Sequence, residues 1–508
     1  MTRYSADHQL LWHQLFPAPE RDGPTLQSQL RTRLVSALLD GRLATGMRLP
    51  SSRDLAAMLG ISRNTVVLAY EKLAEDGYVE NRPRSGYFVS SRYLLSAKPT
   101  RHSAKKATDQ DTSVQWHSRF NATHAGAKWL NKPHDWQRYR YPFLYGQFDP
   151  GLFPIADWRE SSRQALDVTA IRGWAPDAID SDDDALLDQL IRRVLPRRGI
   201  AASRDEVLLT VGAQQALYLL AELFIEPGTR IAVEDPGYMD ARNIFARRGA
   251  VLAGLAVDAD GVVPDAAVLQ GVQYLYCTPS HQCPTGVTLT TERRLALLDW
   301  ARREDGILIE DDYDAETQYT GQPLPALKAI DQDGRVIYIG SLSKSLSPGL
   351  RLGYVVAPAP VIAQLRVLRR LMIRHPPTNN QLTLALFIEH GHYDHLLHNL
   401  RSALADRAQV LSAACREHLP AMQVITPHGG SALWARLPDG INTAVLRQAA
   451  MAHGLLIESG ETFFLDETPP LCYLRLGYSS IAADRIKPGI RVLAELLRSR
   501  LTHQHSAS

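Results

Sequence analysis

Ser341-Leu342-Ser343-Lys344-Ser345-Leu346-Ser347-Pro348-Gly349-Leu350-Arg351-Leu352-Gly353-Tyr354 is the stretch on which the fold turns. It follows Val336 to Ile339, a short apolar run that reads as a buried strand. A lysine directly after such a strand, among hydroxyls and ahead of a Gly-containing turn with an arginine, suits Schiff-base formation beside a phosphate. Taken alone, Lys344 also reads as a solvated loop residue, so the rest of the chain has to decide between the two.

Three runs upstream bear on that choice. Thr210-Val211-Gly212-Ala213-Gln214-Gln215-Ala216-Leu217 reads as a strand, a small-residue turn and a helix start, hence a phosphate cradle of backbone N–H groups that Ser341 and Arg351 would complete. Glu234-Asp235-Pro236-Gly237-Tyr238 closes another strand and ends on an aromatic, and Ile309-Glu310-Asp311-Asp312-Tyr313 sets a carboxylate at a strand end. With the lysine run, these segments resemble the pyridoxal-phosphate site of fold type I aminotransferases. The resemblance implies pyridoxal 5'-phosphate on Lys344, with Asp311 paired to the protonated pyridine nitrogen so that the ring becomes an electron sink. It implies Tyr313 on the phenolic oxygen, Tyr238 stacked on the ring, and Gly212, Ala213, Gln214, Ser341 and Arg351 around the phosphate. Tyr473-Leu474-Arg475-Leu476-Gly477-Tyr478 looks like the family segment whose arginine binds a carboxylate. That gives Arg475 an effector-binding role, with an ordinary buried ion pair as the other reading.

From about Tyr141 onward, short apolar strands (Glu206 to Val211, Arg230 to Glu234, Tyr274 to Cys277, Ile307 to Glu310) alternate with helices (Gln214 to Phe224, Thr291 to Glu304, Val361 to Leu371). This predicts an α/β fold with a mainly parallel sheet over 141–508. From about 360 a smaller α+β C-terminal part follows, with strands at Leu433 to Ala435 and Tyr473 to Leu476.

The front of the chain has another pattern. Leu26, Leu30, Leu34 and Leu38 recur every fourth residue, one apolar helix face ending near Gly41. Ser51 caps a second helix, with Asp54 as its capping-box partner and Gly60 as its stop, and Ser62 caps a third with Val66, Tyr70 and Leu73 inward. Two short helices across Gly60-Ile61 have helix-turn-helix spacing, and Tyr78 to Glu80 with Gly86 to Val89 reads as a hairpin with a basic tip. The run from Leu49 to Val79 resembles the winged helix of GntR-type transcription regulators. The third helix would then enter the major groove of double-stranded operator DNA with Arg63, Asn64 and Thr65 toward the bases. Arg53 and the wing's Arg84 would contact phosphate or a groove edge. A small structural or protein-binding module is the alternative.

With 508 residues, 45% hydrophobic and 22% charged, the chain is of multidomain length and ordinary globular composition. Its net charge of +2 at first sight argues against nucleic acid, but the charge is unevenly spread. Residues 1–90 carry +2, residues 91–140 carry +7, and the remainder carries −7. Four cysteines without CxxC spacing fit a reducing cytosol and imply no metal site. No stretch has the length and apolarity of a membrane span or a secretory signal, so a cytoplasmic protein with no membrane partner is expected. A winged helix at 20–90, a basic flexible linker at 91–140 (Lys98, Arg101, Lys105 and Lys106 among its cations) and the aminotransferase-like body at 141–508 resemble the MocR group of GntR-superfamily regulators. That resemblance implies a head-to-tail homodimer.

Three positions depart from the family pattern. Gly173-Trp174-Ala175-Pro176-Asp177, followed by the acidic run Asp180 to Asp184, stands where relatives carry a phosphate-reaching tyrosine, so anchoring across a dimer would be weaker or differently made. Cys283, in His281-Gln282-Cys283-Pro284-Thr285-Gly286, replaces a large apolar residue and reads as a packing thiol in preference to a nucleophile. Asp240 stands where some amino-acid-sensing relatives place an arginine; it reads as surface, or as a group that attracts an effector's ammonium. The expected function is regulation of neighbouring genes by sensing a small amino compound, or pyridoxal phosphate itself, without turnover. A catalytically active aminotransferase carrying a DNA-binding module is the alternative.

Overall fold

Capping residues set the ends of the first helices. The fold is that of a computed structural model, which describes Trp12, Leu15 and residues 24–91, 116–120, 127–147, 149–425 and 429–505. Most of the expected linker, including Lys98, Arg101, Lys105 and Lys106, and residues 20–23 lie outside the described residues. The chain divides into two units, Met1–Thr123 and His124–Ser508.

In the first unit, helix α1 (Leu26–Leu39) buries Leu30, Leu34, Ala37 and Leu38. Leu26, expected on that face, is 43% exposed because it opens the helix, ahead of the turn that packs. Helix α2 (Ser52–Leu59) starts at Ser51, whose Oγ accepts from Asp54 N at 3.2 Å and donates to the Asp54 carboxylate at 2.7 Å. It stops at Gly60, whose φ of 66° lies in the left-handed region that glycine enters without a Cβ penalty. Ser62 then caps helix α3 (Arg63–Glu75) by accepting from Thr65 N at 3.1 Å. Val66, Ala69, Tyr70 and Leu73 face inward, and the Tyr70 hydroxyl donates to Pro50 O at 3.0 Å. Strands β1 (Val79–Arg82) and β2 (Gly86–Val89) pair antiparallel as the expected wing, with exposed Arg84 at its tip in a left-handed conformation, φ 62°.

The second unit opens with β3 (Tyr141–Pro142) and is built on β4 (Val207–Thr210), β5 (Arg230–Asp235), β6 (Val251–Asp258), β7 (Gly261–Val262), β8 (Tyr274–Cys277), β9 (Ile307–Asp312), β10 (Val336–Ser341) and β11 (Gly353–Val356). These last eight form one sheet in the order β4-β11-β10-β9-β8-β5-β6-β7. The central strands β10, β9, β8, β5 and β6 are parallel, and β11 runs against both its neighbours. β4, β10 and β11 are buried throughout, as a sheet covered by helices on both faces requires. Helices α4 (Gly212–Phe224) and α5 (Met239–Arg247) leave the carboxyl ends of β4 and β5, so their first turns meet at one rim of the sheet. The smaller part pairs β12 (Gln423–Val424), β13 (Ala432–Arg436), β15 (Glu458–Ser459) and β16 (Tyr473–Gly477) in an antiparallel sheet under two long helices, His392–His418 and Ala483–His505, while β14 (Leu455–Leu456) pairs with β3. Tyr141 and Phe143 enter that same core, each large buried side chain contributing roughly 1.5–3 kcal/mol. The early strand β3 therefore belongs with the last part of the chain. No helix among the described residues is long and apolar enough to cross a membrane.

Candidate functional site

The carboxyl ends of β9 and β10 and the first turns of α4 and α5 surround a cavity of about 320 Å³. Ala213, Gln214, Tyr238, Asp240, Asp311 and Tyr313 line it, together with Ser341, Lys344, Arg351 and Arg475. Positions scattered over more than 250 residues of sequence thus converge on one site. Gly212 stands just behind, at φ 73°; a Cβ there would come within 3.1 Å of the Arg351 guanidinium. The absence of a side chain lets Arg351 reach Val211 O at 3.1 Å and lie against the α4 N-terminus. Backbone N–H groups and a guanidinium in this arrangement suit a phosphate.

Lys344 sits on the turn between β10 and β11, which Ser343 braces by exchanging two hydrogen bonds with the Leu352 backbone, at 3.1 and 3.0 Å. Its Nζ lies 4.5 Å from the centre of the Tyr145 ring, and burial and the Lys132 charge lower its pKa to about 8. Asp311 is buried; its Oδ2 accepts from the Tyr276 hydroxyl at 2.8 Å and its Oδ1 has no hydrogen-bond partner. Burial raises this carboxyl to about 7 against the Tyr276 hydrogen bond. A buried carboxylate oxygen without a partner is costly unless a cationic donor meets it. A protonated pyridine nitrogen is such a donor. The cradle, the lysine and Asp311 together fit pyridoxal 5'-phosphate.

Other expected residues are placed with qualifications. The Tyr313 hydroxyl donates to His281 O at 2.7 Å, which leaves its oxygen only as an acceptor toward the cavity. Tyr238 has a hydroxyl within 3.1 Å of both Gln214 Oε1 and the Asp240 carboxylate. Asp240 is half-buried and lines the cavity, which corrects the surface reading. Arg475 is a buried ion pair: its Nε is 2.7 Å from Glu458 Oε2, and its guanidinium stacks on Tyr145 and Phe463 at 4.3 and 4.6 Å. Cys283 packs with Met239, Trp434 and Phe463, and burial raises its thiol to about 11, as fits a packing residue. The Trp174 Nε1 donates to Ala165 O at 2.7 Å, so its one donor is spent within its own chain. In the acidic run, buried Asp182 pairs with Arg366 at 2.7 Å and with Arg369, and Asp183 caps the next helix.

The sequence reading missed Lys132, Tyr145, Tyr276 and Glu458. Tyr276 had a readable signal, since it alternates with Tyr274 onto one face of β8, whereas the other three come from segments with no motif. In the winged helix, Arg53, Ser62, Arg63, Asn64 and Arg84 are exposed, and Thr65 is half-buried. Ser62 and Thr65 share a hydroxyl contact of 2.8 Å, so Ser62 acts first as the cap of α3.

A model of the family described as bacterial regulatory proteins, gntR family, matches residues 26–89, and one described as aminotransferase class I and II matches residues 147–487. The HTH-type transcriptional regulator TauR of Rhodobacter capsulatus is 41% identical over 483 residues, 95% of this chain and 98% of its own. The probable rhizopine catabolism regulatory protein MocR of Rhizobium meliloti is 30% identical over 92% of this chain and 93% of its own. Among solved structures, the alpha-aminoadipate aminotransferase LysN from Thermus thermophilus, in complex with N-(5'-phosphopyridoxyl)-L-leucine, aligns with a TM-score of 0.69 at 26% identity over 77% of this chain and 100% of that one. A winged helix joined in one chain to a pyridoxal-phosphate fold, with full-length relatives of the same make-up, means that the chain belongs to the MocR-type group of GntR-family transcription regulators.

Proposed function

We propose that this regulator holds pyridoxal 5'-phosphate at Lys344 and uses it to sense a small amino compound, and that occupancy of the cavity changes how the winged helix engages its operator and so the expression of neighbouring genes in the cytoplasm. The observation that carries the reading is the partnerless Oδ1 of buried Asp311 in the same cavity as Lys344. When bound there, the cofactor supplies an aldehyde carbon that condenses with primary amines and a ring that draws electrons toward its protonated nitrogen. Asp311 would keep that nitrogen protonated, and Tyr276 keeps one Asp311 oxygen occupied, so that the other would be left for the ring nitrogen. Gly212, Ala213, Gln214, Ser341 and Arg351 would bind the phosphate, Tyr238 would cover the ring, and Lys344 Nζ would release and take up the proton that amine exchange requires. Arg475 and Asp240 would orient the effector. Arg53, Ser62, Arg63, Asn64, Thr65 and Arg84 would form the DNA face. Only differential binding of the effector to two states of the protein can shift the equilibrium.

The test is Lys344→Ala in a reporter strain: the response to the inducing amine should disappear, and a full response sinks covalent sensing. Because Lys344, Asp311 and Arg475 are also what a transaminase needs, purified protein should be followed with amino donors and 2-oxo acids. Sensing predicts no more than a single half-reaction per site, and sustained turnover would favour the enzyme reading. A head-to-tail homodimer is part of the proposal, supported by apolar side chains left outside on Leu166 (58% exposed), Val168 (68%) and Leu371 (80%). Sedimentation should then give twice the chain mass.

A further inference from the structure

Arg475 already has an acidic partner. Glu458 faces it at 2.7 Å, and both side chains are 4% exposed or less, so within the cavity their charges largely cancel. A carboxylate drawn to Arg475, which lines the cavity, would be opposed by the Glu458 charge paired with it. The balance is changed by Lys132, whose Nζ lies 3.3 Å from Glu458 Oε1 and which lines the same cavity. Arg475, Glu458 and Lys132 together carry one net positive charge, enough for one anionic group.

Lys132 is also held in place. It stands on a strap, residues 128–132, of which Trp129, Leu130 and Lys132 line the cavity. Lys128 Nζ donates to Phe464 O at 2.9 Å and to Asp466 O at 2.8 Å, while Asn243 Nδ2 donates to Lys128 O at 3.0 Å. Arg447 donates to Asn131 O at 2.8 Å, and Lys132 Nζ itself donates to Tyr145 O at 2.5 Å. Tyr145 is the ring over which both Lys344 and Arg475 lie, at 4.5 and 4.3 Å. The strap thus brings an ammonium group to the side of the cavity where the buried ion pair sits.

We propose that Lys132 is the specificity-determining cation of the effector cavity: it lets the Arg475–Glu458 pair accept an acidic group, so that the effector is a primary amine with an anionic end held between Lys132 and Arg475 and its amine directed to Lys344. This rests on the amine-sensing reading above. The strap that carries Lys132 continues in sequence toward the winged helix, so the contact that recognises the effector is made by the segment leading to the DNA-binding domain.

The test uses the full-length, cofactor-loaded protein and absorbance titration with two probe pairs, β-alanine against β-alaninamide and L-alanine against L-alaninamide. Each pair keeps the amine and removes the acid. The preference for acid over amide in at least one pair should fall at least tenfold in Lys132→Met and recover to within about threefold in Lys132→Arg. Glu458→Gln, which removes the competing carboxylate, should raise the preference at least threefold, and this decides the matter if the methionine variant does not fold. An unchanged preference in Lys132→Met, or an unchanged or lowered one in Glu458→Gln, overturns the role of Lys132 and leaves amine sensing standing. If no probe alters the cofactor spectrum of the unmodified protein, the sensing reading fails and this inference fails with it.

Discussion

Lys344 is an amine whose side chain opens onto the cavity, and its surroundings there fix when it can react. Burial first, and the nearby Lys132 charge second, lower its pKa to about 8. The protonated form is not a nucleophile, so combination of apo-protein with pyridoxal phosphate should quicken about tenfold per pH unit as pH rises, and level off above about pH 8. A stopped-flow profile still rising at pH 10 would contradict this. At Asp311 the expected effect is on affinity: Asp311→Asn keeps the shape and loses the charge. A charge-assisted hydrogen bond contributes about 1.5–3 kcal/mol, so cofactor retention on dialysis should weaken roughly ten- to a hundredfold. Lys344, Asp311 and Arg351 were legible because each sits in a local run whose strand-to-turn pattern already implies its surroundings. Glu458 and Lys132 were not: a glutamate and a lysine on unmarked segments acquire meaning only beside Arg475, and that proximity is set by tertiary packing.

Helix ends were the most readable elements, because a cap needs one side chain and one turn of backbone. Ser51, Gly60 and Ser62 stand as expected, each satisfying or terminating the backbone groups that a helix end leaves open. Replacing Ser62 by Ala should cost α3 about 1 kcal/mol. In the full chain, hydrogen exchange of the α3 amides should then speed up about fivefold; unchanged protection would mean that packing of Val66, Tyr70 and Leu73 alone holds the helix start. Arg63 belongs to the same turn but makes only a 3.4 Å contact to Ser52 Oγ, so Arg63→Ala should leave this protection intact. Its loss should weaken specific operator binding about ten- to a hundredfold, measured by gel shift against unrelated DNA. Two strands of more than two residues escaped the sequence reading. β6 is Val-Leu-Ala-Gly-Leu-Ala-Val-Asp, whose alanines and Gly254 lack the β-branched signature, and Gly254 is small because a Cβ there would come within 2.9 Å of Leu465. β11 is only four residues long and directly follows the lysine turn, so its reversal of direction follows from the turn's geometry and not from any period in the sequence.

For the whole molecule, charge distribution matters more than net charge. A total of +2 conceals +7 on residues 91–140 against −7 on the body that follows residue 140. An acidic body is repelled by DNA, so the basic stretch would supply long-range attraction and the winged helix discrimination. These roles separate experimentally, because neutralising phosphates makes affinity fall with salt at a slope of about −0.9 per contact and carries no sequence information. Changing Lys98, Arg101, Lys105 and Lys106 together to Gln removes four charges and touches neither α3 nor the wing. Nonspecific affinity should fall, and the slope of log K against log salt should become shallower by as much as about 3.6. The ratio of operator to nonspecific affinity should stay within about threefold of the unmodified protein, since Arg63, Asn64 and Thr65, proposed above as the base-contacting residues, are unchanged. An unchanged slope would mean that this stretch does not reach DNA, and a collapsed ratio would mean that it helps to read sequence.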